Sequence, residues 1–203
     1  MDQAAWDERY AGPELVWGAG PNCFVAEELA ALEPGRALDL GTGEGRNAIW
    51  LAGRGWQVTG VDFSATGLAR AAELARQRGV TAGWVHANLL SYQAAPAGYD
   101  LVLIAYIQLP ADELARLVRT AATALAPGGT LLAVGHDRDK LDQGFGGPQY
   151  PHVLWTPAAV AGALDGLTVE RAEQVRRHVK TADGERVAID TLVRAARPAS
   201  LPA

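Results

Sequence analysis

Three glycines alternate with other residues in Leu38-Asp39-Leu40-Gly41-Thr42-Gly43-Glu44-Gly45-Arg46, immediately after a short apolar run. Backbone without side chains lets a ligand come close and lets amide groups point at it, so this pattern makes a nucleotide-type site. Glycine turns also join strands to helices for purely structural reasons, and the chain holds 23 glycines. A second feature therefore has to agree with the first. Asp62 ends the next apolar run, about twenty residues beyond the glycines, where a carboxylate can accept hydrogen bonds from both hydroxyls of a ribose. The competing use of Asp62 is a helix cap.

Two further residues carry chemistry at the same edge. His136 and Asp137 follow the fifth apolar run, where ligands bind in open α/β sheets, and an imidazole there can take a proton from an acceptor near neutral pH. Tyr106 follows the fourth run and either faces the site or packs with its hydroxyl in water. His152 and the Arg176-Arg177-His178 cluster carry weaker expectations, because a charge run on a terminal hairpin is usually a solvated face. Trp6, Tyr10, Trp17 and Phe24 either form a flap over the acceptor or dock an N-terminal helix on the core. Arg46 is expected to start a helix and pack on the glycine loop.

The elements that must position these residues follow from apolar periodicity. Ala37 to Leu40 reads as a buried parallel strand. A helix from Arg46 to Arg54 comes next, with Ala48, Ile49, Leu51 and Ala52 inward, and then a strand from Gln57 to Asp62. Ser64 caps a helix in which Leu68, Ala71, Ala72 and Ala75 recur until Gly79. Further strands are expected at Gly83–Ala87, Tyr99–Ala105 and Thr130–Val134. A helix from Asp112 to Ala126 precedes the last of these, ended by Pro127-Gly128-Gly129. A polar, glycine-rich loop from His136 to Pro151, a candidate lid or acceptor wall, leads to a short helix near Pro157 to Leu164. Two alternating runs, Thr168–Lys180 and Arg186–Ala195, then flank a turn at Ala182-Asp183-Gly184-Glu185. Strands separated by helices pair in parallel through right-handed crossovers. The expected fold is α/β, a doubly wound, Rossmann-like, mostly parallel sheet ending in an antiparallel hairpin. It forms one domain over residues 1–203, with an N-terminal helical flap at 1–30, an acceptor-side loop and short helix at 136–165, and a loose tail at Arg197 to Ser200.

Taken together, Asp39 to Gly45 and Asp62 resemble the class I S-adenosylmethionine-dependent methyltransferases, whose first motif is an acidic residue followed by Gly-x-Gly-x-Gly. A dinucleotide-binding loop more often reads Gly-x-Gly-x-x-Gly, and Arg46 stands where its last glycine would be. The resemblance covers roughly residues 22 to 195. It implies S-adenosyl-L-methionine as cofactor, held by Asp39, Gly41, Thr42, Gly43, Gly45, Asp62, Phe63, Asn88, Leu89 and Ala105. Asn88 and Leu89 would hold the adenine, and Asp39 would reach the amino group of the aminoacyl arm directly or through water. His136 and Tyr106 are the catalytic candidates. The opening Trp6-Asp7-Glu8-Arg9-Tyr10 is similar to that of the small tellurite-resistance and thiol-type methyltransferases. The implied reaction is methyl transfer to a small acceptor such as a thiol, a chalcogen oxyanion, a hydroxyl or an amine. A nicotinamide-dependent oxidoreductase and a noncatalytic S-adenosylmethionine-binding module are the alternatives; the first lacks a Tyr-x-x-x-Lys pair.

Composition narrows the partners. With 203 residues, 49% apolar and 20% charged, the chain is an ordinary globule. Lys and Arg number 18 against 23 Asp and Glu, a net charge of -5, whereas a polyanion binder would carry a basic excess; nucleic acid is not expected as substrate. The single cysteine, Cys23, forms no internal disulfide and no zinc-ligand pair, so no metal is expected and a reducing cytoplasm fits. The acidic N-terminal residues and the lack of a run near ~20 apolar residues argue against a secretory signal or a membrane span.

Overall fold

The structure is a computed structural model and describes residues 2–199. Helices α1 (Gln3–Tyr10) and α2 (Cys23–Leu29) lead into β1 (Arg36–Leu40), α3 (Arg46–Ala52), β2 (Gln57–Asp62), α4 (Ala65–Gln77) and β3 (Gly83–His86). Then follow β4 (Tyr99–Ala105), α5 (Ala111–Ala124), β5 (Leu125–His136), the short helices α6 (Lys140–Gln143) and α7 (Pro157–Ala161), and the strands β6 (Thr168–Thr181) and β7 (Gly184–Ala196). The seven strands form one sheet in the order β3-β2-β1-β4-β5-β7-β6. The first five are parallel, and β7 lies antiparallel to both β5 and β6.

Side chains alternate across a strand, and both faces here are apolar because helices cover both. Leu38, Leu40, Val102 and Ile104 pack with Leu114, Leu117, Val118 and Ala121 of α5. From the other face Ala37, Leu101, Leu103, Leu132 and Val134 pack with Val25, Leu29, Ala48 and Leu51 of α2 and α3. The chain runs outward through β1, β2 and β3, then returns to place β4 against β1. That reversal opens a crevice at the carboxyl ends of β1 and β4, where the glycine loop emerges.

The anticipated strands and the terminal hairpin are present, and Ser64 caps α4 by accepting from Gly67 N at 3.0 Å. One boundary differs: α5 stops at Ala124, and Pro127-Gly128-Gly129 lies inside β5 instead of ending the helix. The pairing of β4 with β5 jumps from Tyr99↔Leu125 to Leu101↔Thr130, so the three residues form a bulge. Gly128 N donates to Arg197 O, and Arg197 N donates back to Gly129 O. Sequence-local turn chemistry is overridden here by pairing with the chain's far end. Arg197 is consequently anchored, contrary to the expected loose tail, and its guanidinium also bonds Leu125 O at 2.6 Å; Ser200 lies outside the described residues.

The loop after β5 is tied down as well. Trp155 N bonds His136 O, Arg138 N bonds Trp155 O, and the buried Trp155 ring lies against Gly135. Among the described residues, no helix is long and apolar enough to cross a membrane, and no cluster of His, Cys, Asp or Glu is placed to hold a metal ion.

Candidate functional site

A cavity of about 780 Å³ occupies the crevice. Gly41, Thr42 and Gly43 form its floor, Asp62, Phe63, Asn88 and Leu89 one wall, and Ala105, Tyr106 and His136 the other. The glycine loop needs its glycines for reasons of space. Gly41 has φ 76 and a Cβ there would fall 2.0 Å from Ile107 Cδ1, while Gly43 has φ 54 and a Cβ there would fall 2.5 Å from the Tyr10 hydroxyl. Gly45 caps α3 against Ala71 and Trp84 and does not line the cavity.

Asp62 is buried with both carboxylate oxygens engaged: Oδ2 accepts from Gly43 N and Oδ1 from Ser64 N, each at 2.8 Å. It therefore fixes the glycine loop to the start of α4, and each oxygen keeps a lone pair for a ligand hydroxyl. Burial raises its carboxyl, against the opposing pull of those amides. Asp39 lies beneath the loop, outside the cavity wall, and accepts from the Thr42 hydroxyl at 2.7 Å. Burial, with the Asp62 charge adding to it, lifts its carboxyl to about 6. The floor thus holds two carboxyls whose ionised forms want a cation nearby. Asn88 is exposed at the rim, its Oδ1 accepting from Leu90 N at 2.9 Å.

The opposite wall holds a network that the sequence did not assemble. Asp190, from the middle of β7, is fully buried. Its Oδ2 accepts from the Tyr106 hydroxyl at 2.7 Å and from Arg177 Nε at 2.8 Å, and its Oδ1 lies 3.4 Å from His136 Nδ1. The Tyr106 hydroxyl also accepts from Asn22 Nδ2 at 3.1 Å and Arg177 Nε at 3.2 Å, and Tyr106 sits at φ 57, a conformation rare for a side chain of its size. The His136 and Tyr106 rings meet edge to face at 4.8 Å. Burial alone would raise the Asp190 carboxyl, but the nearby His136 ring nitrogen, the Arg177 hydrogen bond and charge, and the Tyr106 hydroxyl hold it below the ordinary carboxylate value.

Two residues correct the expectation of a solvated charge run: Arg177 is half-buried and bonds Tyr106 and Asp190 in the cavity wall, and His178, though exposed, also lines the cavity, which leaves Arg176 exposed outside it. Asp137, beside His136, is occupied structurally by the Thr191 hydroxyl and Gln174 Nε2. His152 is exposed beside Tyr150 and lies outside the cavity wall.

The N-terminal segment runs across the cavity mouth. Trp6 and Tyr10 stack at 5.4 Å, and Arg9 lies between the Trp6 and Trp17 rings at 5.3 and 5.0 Å from their centroids. Three arginines of the sheet domain hold this strap by its carbonyls: Arg70 binds Tyr10 O and Gly12 O, Arg46 binds Trp17 O, and Arg78 binds Ala19 O. Glu44 accepts from Val16 N, and Asp7 from the Ser64 hydroxyl. Trp6, Tyr10 and Trp17 line the cavity, whereas Phe24 is buried in the core under α2.

Residues 37–129 match the family described as "Methyltransferase domain". The chain is 33% identical over 109 residues to a ribosomal RNA small subunit methyltransferase C from Alcanivorax borkumensis, covering 51% of this chain and 33% of that protein. It is 33% identical over 112 residues to a ubiquinone biosynthesis O-methyltransferase from a Methylobacterium species, covering 55% and 44%. The chain thus spans between a third and a half of the length of these relatives. Among solved structures, one from work on the conversion of a disulfide bond into a thioacetal group during echinomycin biosynthesis superposes with TM-score 0.77 at 23% identity, over 98% of this chain and 93% of that one. The N-methyltransferase NodS of Bradyrhizobium japonicum, in complex with S-adenosyl-L-homocysteine, superposes with TM-score 0.72 at 19% identity, over 97% and 98%. At these identities the structural likeness speaks to the fold.

Proposed function

We propose that this chain is a class I S-adenosylmethionine-dependent methyltransferase that transfers a methyl group to a small-molecule acceptor, a reading supported by the methyltransferase-domain match over residues 37–129. The observation that carries the reading is the cavity floor: a glycine loop laid over two buried carboxyls, Asp39 and Asp62, both raised by burial. Such a floor favours a ligand with positive charge and a ribose, and it disfavours the pyrophosphate of a dinucleotide.

The residues present fit the donor. Gly41 and Gly43 leave room for the aminoacyl arm, Asp39 favours its ammonium through the Thr42 bridge, and Asp62 has lone pairs left for the ribose hydroxyls. Phe63, Asn88 and Leu89 would supply a face and an edge for the adenine, and Ala105 lines the same cavity at the tip of β4. When bound, S-adenosylmethionine supplies a methyl carbon already activated by the sulfonium charge, open to in-line displacement by an acceptor lone pair.

The protein's part is then alignment and water exclusion, terms that can reach on the order of 7–11 kcal/mol. The strap residues Trp6, Tyr10 and Trp17 roof the site, and His136 stands on the acceptor side to receive a proton. A small acceptor agrees with the net charge of -5 and with the quinone-pathway relative. The relative acting on ribosomal RNA makes nucleic acid the competing acceptor. Single, free Cys23 is consistent with a reducing cytoplasm.

Calorimetric titration with S-adenosyl-L-homocysteine, with NADH in parallel, tests the reading. Micromolar binding of the first alone is expected; binding of NADH alone would overturn it.

A further inference from the structure

Asp190 is a fully buried carboxylate near the middle of a strand that is otherwise apolar from Ala188 to Val193 apart from Thr191. Its two oxygens are treated unequally. Oδ2 accepts from both the Tyr106 hydroxyl and Arg177 Nε, while Oδ1 is buried with no hydrogen bond completed to it. A buried carboxylate oxygen left without a donor is costly. The ring nitrogen 3.4 Å away, His136 Nδ1, is the group positioned to supply that donor, provided it carries the proton.

We infer that Asp190 is the positioning residue of this site: it fixes His136 as the Nδ1–H tautomer and so leaves the Nε2 lone pair for the proton of the methyl acceptor. His136 lines the cavity, and its contact with Asp190 is made through Nδ1, which leaves Nε2 on the far side of the ring. The ring is further held edge-on to Tyr106 at 4.8 Å and faced by Gly147, where a Cβ would come within 2.8 Å of Nδ1. Free imidazole prefers no such arrangement; the carboxylate imposes it.

The inference rests on the methyl-transfer reading for its acceptor and supplies what that reading lacks, a reason for the imidazole to be a base. An acceptor bearing a proton on oxygen or sulfur passes that proton to Nε2 as its lone pair forms the new bond to the methyl carbon. The carbon–sulfur bond of the donor breaks with its electron pair kept by sulfur. The positive charge gained by the imidazole then faces Asp190 through Nδ1–H. Arg177 and Tyr106 keep the carboxylate ionised for that purpose, and neither is needed to touch the acceptor.

The test is the tautomer itself, read by two-bond ¹H–¹⁵N correlation of histidine-labelled protein at pH 8, with His136 assigned by its disappearance in His136→Gln. A protonated Nδ1 and a lone-pair Nε2 in the wild type are expected, and Asp190→Asn should convert most of the signal to the Nε2–H form. A wild-type His136 protonated at Nε2 overturns the inference, whatever the variant does, so a poorly folding Asp190→Asn does not shield it. Titration of the same sample with S-adenosyl-L-homocysteine separates the two readings. Binding with Nε2–H leaves the methyl donor site standing without the positioning role, and Nδ1–H without binding leaves the tautomer standing and removes the methyl transfer.

Discussion

The Tyr106 hydroxyl and the Asp190 carboxylate, 84 positions apart in the chain, meet at 2.7 Å and lock the tip of β4 to the middle of β7. Tyr106 makes this contact from a backbone at φ 57. It also defines what the phenol does, since a hydroxyl that donates to Asp190 and accepts from Asn22 and Arg177 has nothing left to donate to a substrate.

Tyr106→Phe should therefore act through the network. It removes one of two donors to Asp190 Oδ2 and strands Asn22 Nδ2, at a cost of about 1–3 kcal/mol. Because the Asp190 carboxyl lies below its ordinary value, its stabilisation is present above the usual carboxylate range and is lost as pH falls through the lowered value. The deficit of the variant should thus be full at pH 7 and should narrow in strong acid. Urea unfolding at pH 7 and at successively lower pH through the acid range reads this; a deficit that stays constant throughout would remove the network from the account.

Asp39→Asn should show the opposite pH dependence. A carboxyl raised from 3.8 to about 6 contributes fully below its unfolded value, and that contribution is lost as pH rises through about 6. The amide cannot ionise, so the ligand-free variant should gain about 2–3 kcal/mol on the wild type by pH 8, and nothing at pH 4. Calorimetric melting at the two pH values decides it. The same variant should bind S-adenosyl-L-homocysteine more weakly at pH 8, because the charge that burdens the empty floor is the one that favours an ammonium.

Asp62→Asn places an amide where two backbone N–H groups now donate. Affinity for S-adenosyl-L-homocysteine should fall ten-fold to a hundred-fold or more, about 1.4–2.7 kcal/mol, with circular dichroism unchanged. Undiminished affinity would mean that the carboxylate serves the loop alone.

Gly41→Ala drives a methyl group to within 2.0 Å of Ile107 Cδ1 at a backbone angle that disfavours any side chain. A loss of about 1–3 kcal/mol is expected. Ile107→Val in the same chain should recover the steric part and leave the backbone part, which a double-mutant cycle on thermal unfolding separates.

The parallel half of the molecule was legible because its signals are local. Gly41, Gly43 and Asp62 lie at strand ends, and strand ends follow from apolar runs of a few residues. Arg177 and Asp190 were not legible, because the antiparallel hairpin gives them their places. In its register Arg177 pairs with Ala188 and Val175 with Asp190, and a one-residue slip would turn both side chains to the other face. A local trace of Asp190 did exist, as an acid inside an apolar strand. The end of α5 was misjudged for a related reason: Pro127-Gly128-Gly129 is a stop signal read alone and a bulge once Arg197 pairs beside it. Asp39 and Gly45 match the motif by spacing, yet lie behind the cavity wall and shape it from there.

The strap over the cavity is gripped mainly by its carbonyls, at Tyr10, Gly12, Trp17 and Ala19, and by one amide, at Val16. Every amino acid carries a carbonyl. Substitutions along residues 10–19 therefore change what faces the acceptor while leaving those attachment points in place, so that selection can retailor the roof for a new substrate without refitting the hinges.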